Sequence, residues 1–193
     1  MTGGHGGNSM AQTGFRGRND DGDETTATWI APLNTVIEMR VDRIFRVRLL
    51  CEANGLFLGT HHLYQSPNPG GGGGTQVTNS SNPLRTTLSP NYPDAQATTQ
   101  QLGSGTFTPG NPGMANNTPA TSPISYPANG EVGDLEEAEV EYAVTITGIG
   151  ISDGDPIYLH AQFGAAAFSR GYFEVAKIIV NMPRTIRRTL FIT

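Results

Sequence analysis

The chain reads as an all-β protein: an antiparallel β-sandwich, jelly-roll or immunoglobulin-like, with extended N- and C-terminal arms and a long loop-rich insertion. Three observations predict it. Several segments alternate apolar and polar residues with period two, the signature of half-buried strands. Turn-forming residues punctuate those segments, with 25 Gly and 13 Pro in 193 residues. Only "DLEEAEVEYA" has a helix-like pattern, and its Val and Tyr content and its run into "VTIT" favour strand.

Residues 1–26 read as a polar, Gly-rich N-terminal arm, "MTGGHGGNSMAQTGFRGRNDDGDETT", whose one large aromatic, Phe15, is flanked by Arg16 and Arg18. Such a composition is expected to be ordered by a neighbouring chain rather than by its own core. Residues 27–182 form the sandwich domain. "TATWIAPL" and "TVIEMRV" are β-rich and separated by Pro32 and Asn34. In "RIFRVRLLCEANG", Phe45, Val47, Leu49 and Cys51 face one way and Arg46, Arg48 and Glu52 the other, until "ANG" signals a turn. "LFLGTHHLYQ" follows as a further strand.

From Ser66 to Gly130 the character changes. This excursion holds ten of the thirteen prolines and two charges, Arg85 and Asp94. It includes the run "SPNPGGGGGT" and short strand candidates in "TQVTN", "ATTQQL" and "GTFTPG". A structureless loop of this length is foreign to a compact domain, so it reads partly as edge strands and partly as an arm lying on neighbouring subunits. The glycine run would let backbone lie close against another chain.

The second β block is clearer. In "EVEYAVTITGI", Val140, Tyr142, Val144 and Ile146 share one face, while Glu139, Glu141, Thr145 and Thr147 share the other with Ala143. In "DGDPIYLHAQF", Ile157, Leu159, Ala161 and Phe163 point inward and Tyr158, His160 and Gln162 outward. "ISDGDP" between them predicts a hairpin turn. "YFEVAKIIV" is the last strand, stopped by Pro183. Residues 183–193 form a basic and apolar C-terminal segment, in which Arg184, Arg187 and Arg188 precede Leu190, Phe191 and Ile192. An apolar terminal strand of this kind calls for a partner.

No catalytic constellation emerges, and no catalytic, cofactor-binding or metal-binding residues are assigned. "NDDGDE" (Asn19 to Glu24) resembles the start of a calcium loop but lacks its later glutamate, and reads as a solvated acidic patch; Asp20, Asp21 and Asp23 would be the ligands to test. His61 and His62 are adjacent and face opposite sides of a strand. Cys51, the lone cysteine, excludes an internal disulfide and reads as a small buried hydrophobe. "GSG" at 103–105 lacks the frame of a nucleophile elbow. Glu137, Glu139 and Glu141 share a face that an arginine ladder at Arg46 and Arg48 could neutralise by cross-strand pairing. The glycine run is not a phosphate loop, since no Lys-Ser/Thr follows it.

The net charge of −5 disfavours nucleic acid, and eleven of twelve basic residues are Arg, which suits fixed pairing across interfaces. No stretch approaches the roughly 18 apolar residues of a membrane span. The N-terminus shows neither part of a signal peptide, so synthesis in a cytoplasm is expected. The blocks "ATTQQLGSGTFTPGN", "TATWIAPLNT", "FRVRLLCEANG", "YPANGEV" and "EYAVTITGI", with "GDPIYLHA", resemble a β-sandwich domain of phage and prophage structural proteins over residues 25 to 182. The resemblance implies a virion component without enzymatic activity, located in the virion after synthesis in the host. Its partners would be other virion proteins, major capsid or tail, and copies of itself. No cofactor or membrane is implied.

The leading expectation is a capsid decoration, cement or minor capsid protein. Its candidate partner contacts are Phe15, Arg16, Arg18, Arg184, Arg187, Arg188, Leu190, Phe191 and Ile192. The alternative is a tail or baseplate carbohydrate-binding or host-attachment module, for which Trp29, Tyr64, Tyr92, Tyr126 and Tyr158 supply aromatics.

Overall fold

A computed structural model describes residues 9–54, 60–70, 74–91, 93, 97–107, 115–116, 124–125, 136–163, 166–167 and 174–183. Among them there is no helix. The strands are β1 (Ser9–Asn19), β2 (Ile37–Arg40), β3 (Ile44–Asn54), β4 (Thr60–Ser66), β5 (Thr75–Gln76), β6 (Leu84–Thr86), β7 (Thr106–Phe107), β8 (Ala115–Asn116), β9 (Ile124–Ser125), β10 (Glu136–Ile146), β11 (Pro156–Phe163), β12 (Ala166–Ala167) and β13 (Ala176–Asn181). They build two sheets packed face to face as a β-sandwich. The first runs β1-β3-β10-β6, with β7 and β8 also on β10; the second runs β2-β13-β11-β4-β5, with β12 on β11 and β9 on β4.

The core lies between the sheets, as the alternation predicts. Phe45, Val47, Leu49 and Cys51 of β3 meet Val140, Tyr142, Val144 and Ile146 of β10. From the other sheet come Leu63, Ile157, Leu159, Ala161, Ile178 and Val180. The "DLEEAEVEYA" segment is strand, paired antiparallel with β3 from Glu137 to Thr145.

One expectation fails. The described part of residues 1–26 is no arm: β1 pairs with β3 along its length, and Phe15 and Met10 are in the core. The pattern was hidden by a β-bulge between Gln12 and Gly14. Met10 and Phe15 are an odd number of residues apart, so a regular strand would put them on opposite faces; the extra residue brings both inward. Over its described residues the excursion supplies β5 to β9 to the chain's own sheets, in keeping with the edge-strand half of what the sequence suggests. Of "ATTQQL", residues 98–102 are not strand, and of the glycine run Gly71 to Gly73 lie outside the described residues.

The "ISDGDP" turn is also reassigned. β10 and β11 belong to different sheets, so residues 147–155 cross from one to the other instead of closing a hairpin. Each strand carries an apolar face, and the crossing sets those two faces against each other. Gly154 stands at φ +83° in the crossover, a backbone conformation that a side chain disfavours.

Close approach of the sheets depends on Gly17 of β1. A Cβ there would lie 2.9–3.0 Å from the side chain of Ile37, which has no exposure of its own. Gly17→Ala is therefore expected to cost about 1–3 kcal/mol, the usual range for overpacking a tight core. Thermal unfolding checks it, and Gly70→Ala, where none of the described residues lies within 4 Å, serves as the neutral control.

Candidate functional site: a buried arginine–carboxylate clamp

The outer face of a sandwich sheet normally meets water. On the first sheet it does not. Arg46 and Arg48 of β3, Glu139 and Glu141 of β10, and Arg18 of β1 project outward from neighbouring strands, and all five are fully buried. Glu141 lies directly opposite Arg48 in the ladder, so the cross-strand pairing expected from sequence is present.

Glu141 is the hub. One of its oxygens takes Arg48 Nη1 at 2.8 Å and Arg18 Nη1 at 3.3 Å; the other takes Arg46 Nη1 at 3.1 Å. Arg48 also bonds Glu139 through Nε at 2.6 Å and Glu24 through Nη1 at 2.8 Å, and its Nη2 donates to the Thr99 carbonyl. Burial works against charge on Arg48, but Glu141, Glu139 and Glu24 outweigh it and raise its pKa above the ordinary guanidinium value. Arg46 reaches Asp20 at 3.2 Å and donates to the Gly22 carbonyl. Three guanidiniums thus face four carboxylates.

The excess negative charge meets backbone donors. A single oxygen of Glu139 accepts three consecutive N–H groups, from Gln101 at 2.9 Å, Leu102 at 2.7 Å and Gly103 at 3.0 Å. Successive amides around an anion form a nest. Glu24 accepts Thr99 N–H at 2.9 Å and Gln101 Nε2 at 3.1 Å, and Glu137 accepts Gly105 N–H at 2.9 Å. The charge-poor segment 98–105 is therefore pinned by carboxylates supplied from elsewhere in the chain. Residues 19–28 form the second cover, through Arg18 to the Glu24 carbonyl at 2.6 Å and the Ala27 carbonyl at 3.0 Å.

The acidic "NDDGDE" patch is split by this arrangement. Asp20 and Glu24 are not solvated but enter ion pairs. Asp21 and Asp23 are exposed and act as turn acceptors. Asp23 takes the Thr26 hydroxyl at 2.8 Å and the Thr25 and Thr26 amides at 2.9 Å, which hold its pKa down to about 2. The Thr28 hydroxyl and amide lower that of Asp21. The three carboxylates named as possible metal ligands thus serve three separate sets of donors, and among the described residues no His/Cys/Asp/Glu group is placed to hold a metal ion.

Of the proposed partner contacts, Phe15 lies in the core and Arg18 in the clamp. Arg16 is half-buried, its Nε donating to the Ala31 carbonyl at 2.7 Å. Trp29 packs against both arginines, with Arg16 and Arg18 guanidiniums 4.3 and 4.5 Å from its ring centre. Burial, then the neighbouring Arg18 charge, lowers the Arg16 pKa. These three residues hold the chain to itself. Arg184, Arg187, Arg188, Leu190, Phe191 and Ile192 lie outside the described residues.

A second polar group sits in the core. His61 Nδ1 lies 2.5 Å from the Tyr142 hydroxyl, and Cys51 Sγ is 3.9 Å from His61 Nε2. Burial, and then His62, push the His61 pKa down to about 3, while burial raises that of the Cys51 thiol. A neutral imidazole and a protonated thiol make this a core hydrogen-bond pair beside a hydrophobic sulfur. His160, expected to point outward, does stand on the outer face of the second sheet yet is fully buried, its Nε2 3.4 Å from the Asn68 carbonyl. Burial lowers its pKa as well.

The alternation of Arg and Glu was visible in sequence; the covers were not. Neither Glu24 nor segment 98–105 carries a local signal that it will close over β3 and β10. A comparison with protein-family models, with curated proteins and with solved structures finds no match.

Proposed function

We propose that this chain is a non-enzymatic structural component of a phage virion, a decoration, cement or minor capsid protein that stabilises the particle by contacts with neighbouring subunits. The observation that carries the reading is the clamp. Sheet and covering segments are locked together by ion pairs from which water is excluded, so the sandwich is braced on an outer face as well as in its core. The pairs use arginine, whose rigid fork holds several acceptors in fixed directions. A block of this kind suits load-bearing contact, and the resemblance of its strand blocks to phage structural domains points the same way. Other virion proteins and further copies of the chain are the partners; the reading needs no cofactor, membrane or nucleic acid.

The test is the particle. Virions purified from a producing host should contain the protein in fixed stoichiometry, and electron microscopy should locate a sandwich-sized density on the shell. Protein found only in the soluble fraction, with particles of unchanged stability when its gene is removed, would refute the proposal.

A further inference from the structure

A cleft of about 440 Å³ opens at one end of the sandwich, where β4 ends and β11 begins. Its walls are Pro67, Pro83, Pro156, Ile151 and Ile157, and among the described residues its only charged lining residue is Asp155. Most of its polar groups are spoken for. The Gln65 amide is closed on Asn82 and Leu84, and the Asn82 side-chain oxygen accepts the Thr147 hydroxyl at 2.7 Å. Asp155 gives one oxygen to Ser152 N–H at 2.8 Å and keeps the other. Asp153, exposed in the same loop, accepts the Met182 amide at 2.7 Å and so ties the end of β13 to this loop. Proline and isoleucine walls beside a carboxylate fit an extended segment that carries both aliphatic or aromatic side chains and arginine.

The chain contains one such segment. Arg184, Arg187 and Arg188 are followed by Leu190, Phe191 and Ile192. It departs from the same end of the sandwich. β13 runs antiparallel to β11 with Ile179 opposite Pro156, and Val180 N–H donates to the Asp155 carbonyl at 3.1 Å. Pro183 favours extended backbone at Met182, the residue that follows the end of β13. Ten residues beyond Pro183 span about 30 Å when extended, enough to enter a facing molecule. Because cleft and departure point share one end, two copies facing each other there exchange segments reciprocally, and the contact closes as a two-fold dimer.

We infer that the cleft between Pro67, Pro83, Ile151 and Asp155 receives the basic and apolar segment 184–193 of a second copy. This rests on the reading of the protein as an assembly component and names one of its partners.

The test is a charge swap read by size-exclusion chromatography with light scattering over a concentration series. The full chain should dimerise. Asp155→Arg alone, and the triple change Arg184→Glu, Arg187→Glu, Arg188→Glu alone, should each weaken the dimer at least tenfold. Mixed one to one, the two variants should regain it, since each cleft then meets a segment of opposite charge; that rescue excludes misfolding as the cause. A full chain that stays monomeric throughout, or variants that dimerise as the parent does, or a mixture that fails to recover, overturns the inference. Particle incorporation of a monomer would refute this dimer while sparing the virion assignment; a rescued dimer absent from particles would do the reverse.

Discussion

Replacing Glu141 by glutamine will destabilise the protein by about 3–5 kcal/mol, the cost of breaking a buried ion pair by removing one partner. The substitution keeps shape and volume, so it isolates charge. Glu141 is shared by Arg18, Arg46 and Arg48, all inaccessible to solvent, and the amide that replaces it offers one acceptor oxygen and no negative charge. Guanidiniums this deep cannot neutralise themselves by losing a proton. The guanidiniums are then left facing a neutral group in a medium that screens poorly. In urea, with an m-value of about 2 kcal/mol per M, the midpoint should fall by roughly 2 M. Glu137→Gln is the matched control. It sits at the rim, where its carboxylate takes Gln100 Nε2 at 3.1 Å and the Gly105 amide, both in exposed positions. A loss of no more than about 1 kcal/mol is expected there. Equal effects from the two changes would mean that the clamp contributes little to the folded state.

Acid will destabilise the protein through His61. Its pKa is about 3 when buried against Tyr142 and Cys51, against 6.5 for the free side chain. Between those values the unfolded chain binds a proton that the folded chain refuses, so stability rises with pH across the window and falls as pH drops through it. Full stability is present above about pH 6.5. The loss builds from there to about pH 3, where it reaches on the order of 4 kcal/mol for this single group. His61→Gln should flatten that part of the profile: glutamine has no titrating group and can still reach the Tyr142 hydroxyl. It will cost some stability at neutral pH, because the ring packing with Tyr142, at a centroid distance of 5.7 Å, is lost. Urea titrations between pH 4 and 7 on the two proteins measure the difference in slope. An unchanged slope would show that the acid sensitivity arises elsewhere.

The strands whose faces alternate without interruption were legible in advance. β3, β10 and β11 each show apolar residues at every second position, and those residues enter the core because a strand's two faces are set by local geometry alone. β1 was not legible, since one inserted residue at the bulge shifts the phase between Met10 and Phe15. The same limit applies to the clamp. Glu139, Glu141, Arg46 and Arg48 could be foreseen as a cross-strand set because they lie on strands with a readable register. Their burial could not, since it is imposed by residues 19–28 and 98–105, which have no periodicity to read.

The core residues of the regularly alternating strands, the class of the fold and the sign of each charge on the first sheet follow from sequence, because each is fixed by a residue and its nearest neighbours along the chain. Which sheet each strand joins, the crossing of residues 147–155 and the sealing of the arginines from water belong to the tertiary structure. These are set by contacts between residues far apart in the chain, whose free energy exists only once the two sheets have met.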